Sequence, residues 1–153
     1  MADSLQTLEE WATPLLKQLE AKERRRLART IATELRRSQR ERIKAQQNPD
    51  GSAYTPRKPQ QWRDKQGAIR RKAMFSKLRT AKWLKATTQG DTAMVGFFGS
   101  IARIARTHQY GLRDRVSKHG MTAEYPKREL IGFSAADRER IQDQILAFLS
   151  ERQ

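Results

Sequence analysis

The chain has 153 residues and carries 32 lysines and arginines against 17 aspartates and glutamates, a formal net charge of +15. That length suits one compact domain and leaves little for a second, and the absence of cysteine excludes disulfides, thiolate catalysis and Cys-ligated zinc or iron–sulfur centres. No apolar run approaches the roughly 20 residues of a membrane-spanning helix, and residues 1–20 hold one lysine against four acids, unlike a signal peptide, so a small, soluble, basic protein made inside the cell is expected.

Asp3 and Ser4 are placed to cap a first helix, in which Leu5, Leu8, Ala12, Leu15, Leu16 and Leu19 recur at helical spacing. Pro14 interrupts it: either the helix kinks there, or it restarts with Thr13 as N-cap and Pro14 at the first helical position. A second, longer helix is expected over about 21–47, with Leu27, Ile31, Leu35 and Ile43 on one narrow face and charged or polar residues dominating the rest. So narrow a stripe buries little by itself, and the helix is expected to lie on another element or another subunit. Asn48-Pro49-Asp50-Gly51 then ends it with turn chemistry.

Ser52–Gly67 holds Pro56 and Pro59 with Tyr54 and Trp62 among polar and basic residues, and is expected to be an extended arm or loop whose aromatics dock. From Ala68 to about Leu84, the apolar residues Ile69, Met74, Phe75, Leu78 and Trp83 suggest short helical pieces. Leu84–Thr88 and Thr92–Phe98 flank Gln89-Gly90-Asp91 and predict a β-hairpin with Ala93, Val95 and Phe97 on one face. Ser100 is placed to cap a short helix over Ile101–His108 that ends at Gln109-Tyr110-Gly111, with Gly111 supplying a positive φ. A second, more polar strand pair is expected around Lys118-His119-Gly120. Ser134 and Asp137 form a capping-box pattern ahead of a last helix bearing Ile141, Ile145, Phe148 and Leu149. The class is α+β: two N-terminal helices, a small antiparallel sheet with short helices, and a C-terminal helix. The expectation is a single domain over 1–153, with a helical part (4–47), an arm (48–67) and an α+β part (68–153).

Little in the chain suggests catalysis. His108 and His119 are the two histidines, neither stands near an acidic cluster, and no phosphate-binding or dinucleotide glycine pattern occurs. No catalytic, metal or cofactor site is expected, and His108 reads as a packing or capping residue. The charge is the stronger signal. Residues 22–44 hold ten basic against three acidic side chains, and residues 57–85 hold eleven basic side chains against Asp64 alone. The ends are acidic and the middle is basic, which points to a polyanion or an acidic protein surface as partner. Arginine, at 21 of the 32 cations, suits phosphate and carboxylate alike, so composition leaves DNA binding and protein assembly level.

Several runs carry a resemblance: Arg36-Arg37-Ser38-Gln39 with Arg42-Ile43, Asn48-Pro49-Asp50-Gly51-Ser52-Ala53-Tyr54-Thr55-Pro56-Arg57-Lys58, and Ile69-Arg70-Arg71-Lys72-Ala73-Met74-Phe75. Val95-Gly96-Phe97, Ala105-Arg106-Thr107-His108-Gln109-Tyr110-Gly111-Leu112 and Tyr125-Pro126-Lys127-Arg128-Glu129-Leu130-Ile131-Gly132-Phe133 complete it. In this order, over about residues 3–150, they resemble the phage virion morphogenesis family of contractile-tailed temperate phages, with a wider echo of head–tail connection proteins. The resemblance implies a structural protein of the virion tail or neck, made late in the host bacterial cytoplasm, that finishes the tail and supports head–tail joining. It further implies a homo-oligomeric ring, commonly of six subunits, beside the tail tube or terminator, the sheath and the head connector, with genome DNA in the lumen and no membrane partner. Arg36, Arg37, Arg40, Arg70, Arg71 and Lys72 are then candidates for intersubunit or DNA-facing contacts, and Tyr54 and Trp62 for anchoring the arm. His108, Tyr110, Gly111 and Arg128 are expected to be structural, with Arg128 bonding backbone carbonyls or an acid. A basic DNA-binding protein is the alternative.

Overall fold

The computed structural model describes residues 2–57, 73–115 and 120–151, with side chains from Leu5 onward. Trp62, Arg70, Arg71, Lys72 and His119 lie outside the described residues, as does most of the expected arm.

Helix α1 (Ala2–Leu16) runs through Pro14. Thr13 is inside the helix, not an N-cap, and its hydroxyl donates to the Glu9 carbonyl at 2.7 Å. Pro14 has no N–H to offer the preceding turn, and the helix ends within a turn, closed by Lys17 N–H on the Thr13 carbonyl (3.1 Å). Helix α2 (Ala21–Lys44) begins where the Glu20 N–H donates to the Glu23 carboxylate at 3.1 Å. It ends at Ala45 and Gln46, the latter at φ 59. At ~1.5 Å per residue its 24 residues span roughly 36 Å. Its buried face comprises Leu27, Ala28, Ala32, Gln39 and Ile43, so small residues extend the narrow leucine–isoleucine stripe and let neighbours come close.

Strands β1 (Leu84–Gln89) and β2 (Thr92–Phe97) pair antiparallel, Leu84 opposite Phe97 and Gln89 opposite Thr92. Gly90 at φ 61 makes the two-residue turn possible. The hairpin packs on α2 through the face that carries Ala86, Thr88, Ala93 and Val95. The short helical pieces expected before it are absent where the chain is described. Residues 74–83 form successive turns, because Phe75 sits in the left-handed region at φ 66 and breaks the helical run.

Helix α3 (Ile101–Tyr110) extends two residues beyond the expected end, and Ser100 does not cap it. Ser100 has helical dihedrals and makes no side-chain cap bond, while Gly99, at φ 77, accepts from the Ala102 N–H instead. Strands β3 (Arg113–Arg115) and β4 (Thr122–Glu124) form a second, separate two-stranded pair. Helix α4 (Ala135–Glu151) opens with a reciprocal capping box: Ser134 N–H to Asp137 and Asp137 N–H to the Ser134 hydroxyl, both at 3.0 Å.

Two apolar clusters form. The first joins Leu8, Ala12 and Leu19 to Leu27 of α2 and to Ile141, Ile145 and Phe148 of α4. The second gathers Ile43, Tyr54, Met74, Leu78, Leu84, Ala105 and Leu130. Helix α2 contributes to both.

Candidate interaction surfaces and the motif that frames them

Residues 125–134 contain neither helix nor strand, yet Leu130 is 0% exposed. A buried irregular segment must find partners for its peptide groups, and here side chains supply them. The Gln109 side chain accepts from the Leu130 and Ile131 N–H groups (2.8 and 3.0 Å) and donates to the Ile131 carbonyl (2.8 Å), as a neighbouring strand would. Asn48 accepts from the Glu129 N–H at 2.9 Å, and Gln39 accepts from the Gly132 N–H at 3.1 Å. Arg42 donates to the carbonyls of Gln47, Glu129 and Leu130 at 3.0, 3.0 and 2.8 Å. The Tyr54 hydroxyl donates to the Glu129 carbonyl at 2.9 Å. Burial holds the Arg42 guanidinium below its ordinary value, opposed by Tyr54, Asp137 and Glu129, and it raises the Tyr54 phenol.

The His-Gln-Tyr-Gly run assigns its four side chains four environments. The His108 ring lies edge-on between Phe75 and Tyr125, with both ring centroids at 4.9 Å. Burial pushes its imidazole below the ordinary range, Arg128 and Arg57 add to the shift, and Asp114 opposes it. Its Nδ1 is buried with no hydrogen-bond partner. Tyr110 points outward and is 62% exposed. Gly111, at φ 64, ends α3 where a Cβ would stand 2.8 Å from the Lys127 backbone nitrogen, so no larger residue fits this approach. The buried Arg128 donates to the carbonyls of Thr55 (2.7 Å) and Pro56 (3.2 Å), and tethers the start of the arm.

The candidate contact residues fall into distinct places. Arg36 is spent partly within the chain, its Nε donating to the Leu84 carbonyl at 2.7 Å and clamping the hairpin to α2. Tyr54 is an anchor, but inside the second apolar cluster of its own chain, edge-on to Phe75. Arg37 and Arg40 are on the outer side of α2, paired loosely with Glu34 (3.5 Å) and Glu41 (3.4 Å). Towards the start of α2, Lys22, Arg25 and Arg29 are exposed, and among the described residues their side chains form no hydrogen bond or ion pair. The opposite charge collects elsewhere: Glu9 and Glu10 on the outside of α1, Glu139 and Asp143 on that of α4, none in an ion pair among the described residues. Among the described residues no group of three or more His, Asp or Glu side chains could hold a metal ion, and no helix is long and apolar enough to cross a membrane.

The sequence places Gln39, Arg42, Asn48 and Gln109 in the resembling runs without giving them a part in bonding distant backbone, and it does not single out Gln46. Each is a polar residue inside or beside a helix, a position that ordinarily means solvent. The one available signal was a side chain falling on an otherwise apolar face, as Gln39 does between Ala32 and Ile43 of α2.

The model of the phage virion morphogenesis family matches residues 3–150. Tail completion protein S of Escherichia phage P2 is 40% identical over 142 residues, covering 92% of this chain and 94% of that protein. No solved structure gives a significant match.

Proposed function

The chain belongs to the phage virion morphogenesis family, and on that premise we propose that it is a structural tail completion protein, a ring subunit at the neck end of the tail that readies the tail for the head. The observation that carries this reading is the 40% identity to a tail completion protein over 92% of this chain and 94% of that protein. The described side chains are consistent with it. Their polar groups are committed to holding backbone segments together, and the remaining charge is displayed on helix exteriors. In this reading the subunit assembles in the bacterial cytoplasm, meets other tail and neck proteins through those exteriors, and performs no chemistry. Negative-stain microscopy of particles made without the protein tests it: free heads beside unattached tails are expected, and normal virions would refute it.

The unpaired cations Lys22, Arg25 and Arg29 favour a second reading, contact with duplex DNA. Neutralising phosphates releases counterions, so binding would weaken steeply with salt. Sub-micromolar duplex affinity at ~150 mM salt with such a slope would support it, because nonspecific binding ordinarily lies at ~10⁻⁴–10⁻⁶ M there. Affinity no tighter than that would exclude it.

A further inference from the structure

We propose that copies of this chain join head to tail, the basic outer stripe of α2 in one copy receiving the acidic outer faces of α1 and α4 of the next. This pairing rests on the self-assembly in the reading above and specifies its interface.

The chain has nearly twice as many cations as anions, so every exposed carboxylate could find a cation within its own molecule. Among the described residues Glu9, Glu139 and Asp143 find none. Glu10 receives only the amide of Gln6, at 3.2 Å. The acids on α4 follow helical spacing, Glu139 and Asp143 leading to Leu146, which is 48% exposed. On α1, Leu5 is 42% exposed one turn before Glu9. Each acidic face therefore carries an apolar residue among its carboxylates, the composition of an interface with a small dry centre and a charged rim. Lys22, Arg25 and Arg29 share the same spacing on α2 and lack an anion among the described residues.

The two faces cannot meet within one chain. Helices α1, α2 and α4 all turn their apolar sides toward the cluster around Leu8, Leu27 and Ile145, so their outer sides diverge from it. Complementary faces on different sides of one molecule pair between molecules. That contact is heterologous, so it closes into a ring or propagates as a filament. DNA would satisfy the α2 stripe but would leave the carboxylate faces without a cation.

The test uses charge reversal in the full chain, followed by sedimentation velocity in 0.1 M and 0.5 M salt, with circular dichroism melts confirming folding. Arg25→Glu with Arg29→Glu makes both faces acidic, and Glu9→Lys, Glu10→Lys, Glu139→Lys and Asp143→Lys together make both basic. Each folded variant alone is expected to associate at least tenfold more weakly than the parent chain. A 1:1 mixture should assemble again, since every acidic face then has a basic neighbour. Parent assembly should weaken with salt. Unchanged assembly of either variant, or a mixture that stays monomeric, overturns the pairing while leaving self-assembly intact. A parent chain that is monomeric at 0.1 mM overturns self-assembly and the pairing together. Loss of duplex binding in the Arg25→Glu, Arg29→Glu variant with assembly unchanged overturns the pairing in favour of DNA.

Discussion

Replacing Gln109 by alanine isolates the device that holds residues 125–134 in place. The amide makes three hydrogen bonds to the backbone of Leu130 and Ile131, at 2.8, 3.0 and 2.8 Å. Truncation leaves two N–H groups and one carbonyl without partners beside the fully buried Leu130 side chain. Each buried polar group stripped of its partner costs about 1–3 kcal/mol, and some of that is recovered if water enters the space the amide vacates. A loss of ~2–4 kcal/mol is expected, which for a chain of this size lowers the melting midpoint by roughly 10 °C. Gln109→Glu keeps an acceptor for both N–H groups but sets an oxygen against the Ile131 carbonyl, so its loss should be intermediate. Urea unfolding of Gln109→Ala, Gln109→Glu and the exposed neighbour Tyr110→Ala provides the comparison. Tyr110→Ala should change stability by less than ~0.5 kcal/mol, as surface substitutions do. If Gln109→Ala is no worse than Tyr110→Ala, the amide is not replacing a strand and the reasoning fails.

Gly111→Ala adds a Cβ 2.8 Å from the Lys127 nitrogen at a φ of 64, and left-handed strain plus overlap should cost ~2–4 kcal/mol in the same assay. Asp137 is 1% exposed, caps α4 and accepts from the Ser38 hydroxyl. Asp137→Ala should therefore lose about 2–3 kcal/mol, and Ser38→Ala a smaller part of that. His108 resists protonation when folded, whereas the unfolded chain takes up the proton near pH ~6.5. The unfolded state then binds more protons, and stability should fall as pH drops through that value, by up to ~1.4 kcal/mol per unit. His108→Phe should flatten that slope, and an equal slope in the variant would acquit the imidazole.

What periodicity could reveal was legible in the sequence. Leu8 and Ala12, Leu27 and Ile31, and Ile141 and Ile145 each recur at the spacing that buries one side of a helix, and the β1–β2 hairpin follows from alternation around Gly90. The turns over 74–83 were misjudged because Met74, Phe75 and Leu78 are spaced acceptably for a helix, while Phe75 is left-handed. Gln46, 28 residues away, bonds both the N–H and the carbonyl of Met74 and so fixes the chain there. Asn48 and Gln39 act on partners 81 and 93 residues distant. No local pattern announces such amides, since their role is defined by which peptide groups the finished fold leaves without a partner. Of the candidate contact residues, the location of Tyr54 and the Arg36 clamp depended equally on distant backbone, whereas the exposure of Arg37 followed from its helix face alone.

Between the two apolar clusters, α2 is polar for about two turns. Arg36 grips the Leu84 carbonyl, Ser38 meets Asp137, Gln39 receives Gly132, and Arg42 holds three carbonyls. Greasy contacts let packed elements slide by a fraction of an ångström with little loss, but hydrogen bonds reward one alignment. That waist therefore works as a keyed coupling: it locks the angle between the α1–α4 end of the subunit and the end built around the second apolar cluster. In the proposed ring each copy needs its two ends held at one fixed angle, because any error there would be multiplied by every copy added.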